Sequence, residues 1–109
     1  MKKLVWLPLI CFALVVGSAS GAEPKALYDK HCAKCHGMDG KGKTKMGRQA
    51  GVKDYTDPKV QEEMKDDVAL KTIKEGITEK GKERMKPYAN ELSDADIKAL
   101  IAHMRAFKK

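Results

Sequence analysis

No second pair of cysteines follows the first in this chain, and that absence narrows the chemistry sharply. Structural zinc is usually held by two separated ligand pairs. Beyond Cys32, Cys35 and His36, only His31 and His103 offer another nitrogen of the kind zinc takes. No strand pattern precedes the cysteines either, which removes the βαβ setting of a thioredoxin-like dithiol. Aromatic residues are 6% of the chain and are not interleaved among the basic ones, so a nucleic-acid surface is excluded. The longest apolar run, Leu4 to Val16, is too short to span a bilayer. With leucine, isoleucine, valine and aromatics thinly spread, a chain of this size buries only a modest core and gains from something extra to pack around.

What is present begins with a sorting signal. "MKKLVWLPLICFALVVGSASGA" has two lysines, an apolar run and then small residues ending at Ala22, the order of a secretory signal peptide. Cleavage after Ala22 is expected, which makes residues 1–22 the signal and 23–109 one domain, exported to the periplasm. Cys11 lies inside the apolar run without the small residue that a lipoprotein site needs before it, and is discarded with the signal. Removal of Lys2 and Lys3 takes the basic residues from 22 to 20 against 15 acidic ones, so a formal charge of +7 becomes +5.

The rest reads as all-α, with about four helices and no strands. A first helix is predicted from Pro24 to about Cys35, with proline at its first position and Leu27, Tyr28 and Cys32 at helical spacing. Gly37 to Tyr55 reads as a long loop with five glycines and Lys41, Lys43, Lys45, Arg48 and Lys53. Asp57 caps a short helix behind Pro58. Another begins near Asp67, ends at Gly76 and is given Leu70, Ile73 and Ile77 as its stripe. Residues 77–92 are expected to be irregular. Ser93-Asp94-Ala95-Asp96 is a capping-box start with Leu92 and Ile97 as a staple, and Ile97, Leu100, Ile101, Met104 and Phe107 form the buried stripe of the last helix. Long loops in so small a domain are usually functional.

The motif that carries chemistry is Cys32-Ala33-Lys34-Cys35-His36. Two cysteines left in an oxidising compartment would by default form a disulfide. Covalent haem attachment, however, accounts for every residue of the motif. Thiols three residues apart share one helical face and suit addition to the two vinyl groups on one porphyrin edge. The histidine that follows is directed at the iron as proximal ligand.

"ALYDKHCAKCHGMDGKG", "MKPYANELSDADIKALIAHMRAF" and the roughly fifty residues between their ligands resemble a class I monohaem cytochrome c of the small bacterial kind. The resemblance covers essentially all of Glu23 to Lys109. It implies a cytochrome c fold whose first and last helices cross, one covalently bound haem c, His36 as proximal ligand and Met85 as the sixth. The methionines themselves point the same way in part. Met38 lies too near His36, while Met64 and Met104 lie in helices where packing is their commoner work. Met46 and Met85 are both in loops; Met46 is expected over the same face as His36, and Met85 can return across the other. Many relatives have a proline after the haem motif whose neighbouring carbonyl accepts the proximal histidine's proton. Here Gly37 to Asp57 has none, so a carbonyl near Thr44 to Met46 is the expected acceptor.

Closed axial positions imply an electron carrier rather than an enzyme, shuttling single electrons between redox proteins. The competing reading is a haem sensor or ligand-binding cytochrome with an open or labile sixth site. Lysines and arginines in the loops at 41–53 and 80–86 would rim the haem edge and steer acidic docking surfaces, such as those of a membrane oxidoreductase, terminal oxidase or reductase in a respiratory chain. A monomer that meets the membrane only through its partners is expected. His31 and His103 read as surface histidines, and Tyr28, Tyr88 and Phe107 as packing.

Overall fold

A computed structural model describes Lys3 and residues 23–109; the signal peptide expected at 1–22 otherwise lies outside the described residues. Among the described residues, six helices and one two-stranded sheet follow in the order α1 (Pro24–His31), α2 (Ala33–His36), α3 (Lys45–Ala50), α4 (Pro58–Glu63), α5 (Asp66–Glu75), β1 (Ile77–Glu79), β2 (Lys82–Met85) and α6 (Asp94–Arg105). Among the described residues, no helix is long and apolar enough to cross a membrane.

The expected first helix is in fact two. Cys32 stays in the right-handed region but with φ widened to −113°, and it separates α1 from α2 while its N–H still bonds the carbonyl of Tyr28 at 2.8 Å. A third short helix, α3, occupies what the glycine content suggested was loop. Thr44 caps it by accepting from the N–H of Gly47 at 2.8 Å, and Gly51 ends it in the left-handed conformation at φ 71°.

The β-hairpin overturns the expectation of no strands. Lys80 and Gly81 both take positive φ, the two-residue turn whose twist suits antiparallel strands. Ile77 pairs with Met85, Thr78 with Glu83 and Glu79 with Lys82, so Arg84 is an extra residue in β2. Ile77 is therefore a strand residue, 36% exposed, and not part of the α5 stripe. The helix cannot extend to it because Gly76 turns the chain at φ 73°.

Nine residues form the core: Leu27, Tyr28, Ala33, Ile73, Leu92, Ile97, Leu100, Ile101 and Met104. They lie where α1 and α5 pack on α6. Arg105 locks the far end of this assembly, donating to the carbonyls of Gln61 and Met64 at the end of α4 and to the Asp66 carboxylate at the start of α5. Buried Gln61 completes the joint by donating to the carbonyls of Tyr55 and Met104.

The capping box of α6 forms as expected. The Ser93 hydroxyl accepts from the N–H of Asp96 at 3.1 Å, and the Asp96 carboxylate accepts from the N–H of Ser93 at 3.2 Å. Replacing Ser93 with alanine is expected to cost about 1 kcal/mol. The melting temperature should then fall by roughly 4–8 °C, readable by circular dichroism.

Candidate functional site

Cys32 and Cys35 are both free and half-buried on the break between α1 and α2. Burial and the neighbouring Cys35 sulfur push the Cys32 thiol up to about 11. The default disulfide is not formed.

Backbone carbonyls through the motif are held by donors that come largely from outside it. Tyr88 Oη donates to the carbonyl of His31 at 3.0 Å and Tyr28 Oη to that of Gly37 at 2.7 Å. Thr44 Oγ1 donates to the carbonyl of Cys35 at 2.8 Å, and the N–H of Gly42 to that of His36 at 2.8 Å. Inside the turn, the N–H groups of Cys35 and His36 bond the Cys32 carbonyl, and that of Gly37 bonds the Ala33 carbonyl. The turn that carries both thiols and the imidazole is thus fixed from both ends. Gly47 seals it, since a Cβ there would run into the carbonyl oxygens of Cys35 and Gly42.

His36 presents a half-buried ring, 5.6 Å from that of Tyr55. Burial lowers its pKa, which keeps the imidazole neutral at neutral pH, the state in which it can ligate a metal. The carbonyl expected near Thr44 to Met46 does not serve it. Nδ1 is sealed in the protein without a hydrogen-bond partner. The reason is local: the Thr44 carbonyl accepts from the N–H of Arg48 at 3.0 Å as residues 45–50 wind into α3. Nε2 is not among the sealed nitrogens.

Met85 ends β2, half-buried and packed against the core. In a regular strand only one of two neighbours faces inward. Because the bulge falls at Arg84, Arg84 and Met85 both turn in. Gly76 makes the close approach possible beneath them, for a Cβ there would meet the Met85 carbonyl and, at 2.8 Å, the Pro87 nitrogen. Past the strand, the N–H groups of Tyr88 and Ala89 bond the carbonyls of Ile73 and Lys74, tying the segment to α5.

The other methionines are placed elsewhere. Met38 and Met46 are 62% and 41% exposed, Met64 is the half-buried residue that ends α4, and Met104 belongs to the core. The structure therefore gathers Cys32, Tyr55, Met85 and Tyr88 against one core, with His36 joined to them through Tyr55. These residues suit a flat apolar cofactor that needs two thiols, a neutral imidazole and a thioether.

Neither remaining histidine is a plain surface residue. His103 lies 4.9 Å from the Tyr28 ring and 5.2 Å from that of Phe107, inside the α1–α6 crossing rather than on its polar side. His31 packs edge-on to Tyr88 at 5.6 Å, with Glu91 3.7 Å from Nδ1. Among the described residues, no three or more His, Cys, Asp or Glu side chains are grouped to hold a metal ion, so zinc has no ligand set.

Sequence reasoning took Tyr88 for packing and sought only a carbonyl near Thr44; it missed the hydroxyl bonds of both and the reach of Arg84. The cap pattern from Thr44 to Gly51 was a readable signal. The long-range contacts of Tyr88 and Arg84 had none.

Comparison with known proteins bears on the family and the fold. A family model described as cytochrome c oxidase, cbb3-type, subunit III matches residues 19–104. The fold is similar to the solved structure of KustC0563 c-type cytochrome, at 31% identity and a TM-score of 0.70, over 81% of this chain and 100% of that one. It is equally similar to a solved point mutant of Kustc0563, at 31% identity and a TM-score of 0.70, over 80% of this chain and 100% of that one. No curated protein matches. A family match over most of the chain and a shared fold join a Cys-x-x-Cys-His turn fixed at both ends: the chain belongs to the c-type cytochrome family whose model is described as cbb3-type oxidase subunit III, and is a small haem-binding electron carrier.

Proposed function

We propose that this protein shuttles single electrons through the periplasm on one haem c, which Cys32 and Cys35 would hold through thioether bonds and whose iron His36 Nε2 and Met85 Sδ would bind. The observation that carries this reading is the inward turn of Met85 at the Arg84 bulge, on a segment fastened to the attachment turn. When bound, the haem supplies a one-electron couple that a soft thioether tunes towards the ferrous state.

The chain's own residues do the rest. The fixed carbonyls of residues 31–37 hold the imidazole and thiols in place, so little has to move when charge changes. Met85 closes the site against substrates, which separates a carrier from a sensor. One attachment motif implies one haem.

Charge supports a docking role. Arg84 Nη1 bonds the carbonyl of Gln49 at 3.1 Å and so draws the basic hairpin against α3, which carries Lys45 and Arg48. Asp57, Glu62, Glu63, Asp66 and Asp67 lie instead around α4 and α5. A monomer with a basic face of this kind would meet acidic surfaces on a membrane oxidoreductase, terminal oxidase or reductase, at rates that salt reduces.

The test is a potentiometric titration of the periplasmically matured protein, with its visible spectrum. A single reversible one-electron wave, a weak red sulfur-to-iron band in the oxidised form and a ferrous form indifferent to carbon monoxide are expected. Ready uptake of carbon monoxide would instead establish the open-site sensor.

A further inference from the structure

Two side chains flank Met85, and both reach back to the side of the molecule that carries the cysteines. Tyr88, three residues later, donates its hydroxyl to the carbonyl of His31, immediately before Cys32, across 57 positions of sequence. Arg84, one residue earlier, reaches the carbonyl of Gln49 in α3. That helix packs on α2, which carries Cys35 and His36.

Met85 lies between them at the end of a hairpin that is tied to α5 only past its second strand, through the N–H groups of Tyr88 and Ala89. All three residues of β1 and the first two of β2 are exposed. A two-stranded hairpin of this size is barely stable by itself. Segments with few buried contacts are the ones that open locally.

Tyr88 is seated independently of its hydroxyl. Its N–H is bound to Ile73, and its carbonyl accepts from the N–H groups of Glu91 and Leu92. Its ring meets that of His31, and Lys86 Nζ lies 5.4 Å from its centre. Loss of the hydroxyl alone therefore cuts the long-range bond and leaves the ring in place.

We propose that Tyr88 and Arg84 are positioning residues, two straps that fasten the Met85 segment to the attachment turn and set how readily Met85 leaves the iron. This rests on the reading of Met85 as axial ligand. Neither strap touches the iron or the reacting atoms; each acts through Met85.

The experiment is stopped-flow mixing of the oxidised holoprotein with saturating imidazole, where the observed rate is that at which Met85 lets go. Tyr88→Phe is expected to raise this rate roughly three- to tenfold, the value of one hydrogen bond. Arg84→Lys, which keeps the charge but loses the fork that reaches Gln49, is expected to raise it similarly. Tyr28→Phe is the control: it cuts the 2.7 Å bond to Gly37 at the other end of the same turn, and should lower the melting temperature without changing the imidazole rate.

An unchanged rate in Tyr88→Phe, or an equal acceleration in Tyr28→Phe, overturns the straps while leaving the ligand reading intact. A parent protein without the red band brings down the ligand reading, and the straps with it.

Discussion

Exchanging Met85 for alanine is expected to abolish the weak red band, lower the reduction potential and open the ferrous protein to carbon monoxide. The hairpin should survive the change, because Met85 pairs with Ile77 through its backbone and the Arg84 bulge does not depend on the side chain. Among the described residues, no other methionine shares its place against the core beside Cys32 and Tyr88. Met38 is 62% and Met46 41% exposed, Met64 is held at the end of α4, and Met104 is only 6% exposed within the core. If the thioether favours ferrous over ferric iron a hundredfold, its loss lowers the potential by roughly 120 mV, at about 59 mV per tenfold for one electron. A red band that persists in Met85→Ala would move the ligand to another sulfur, with Met46 the first to examine.

Leu100→Ala is the substitution expected to cost most in stability. Leu100 is fully buried where α6 meets α1 and α5, and the core around it has only nine members. Leu-to-Ala changes in such sites cost about 2–5 kcal/mol, through lost burial and the cavity left behind. A domain of this size has only about 5–15 kcal/mol in total. Chemical denaturation of the holoprotein should show a lower midpoint with an unchanged slope. A loss under about 1 kcal/mol would mean that the crossing can collapse around the gap.

The parts that were legible in the sequence were written locally. Ser93 and Asp96 make their cap across three residues, and the stripe from Ile97 to Met104 repeats at helical spacing, so α6 could be read without its surroundings. Pro24 and the cysteine spacing marked the first helix, but nothing in Ala26 to Cys35 announces the break at Cys32.

The hairpin was hidden for two physical reasons. Its turn uses lysine at a positive-φ position where asparagine or aspartate would have flagged it, and its strands are short and mostly exposed, with no alternating pattern. His103 was misplaced because a histidine one step off an apolar stripe is polar by composition. Here its ring fills space between Tyr28 and Phe107. The acceptor for His36 was sought among carbonyls near Thr44, but those residues wind into α3 and turn their polar groups to that helix and to Cys35.

The crossing of α1 and α6 has a consequence for how the chain comes to be made. Five of the nine core residues lie between Leu92 and Met104, while Leu27, Tyr28 and Ala33 wait for them some sixty positions earlier. Contacts so distant along the chain are slow to form, because the closure of a long loop precedes any reward. Until residues 92–104 pack on the early ones, the turn with both thiols lacks most of the core that Cys32 rests against, and that interval before the fold closes is when chemistry on those sulfurs meets least resistance.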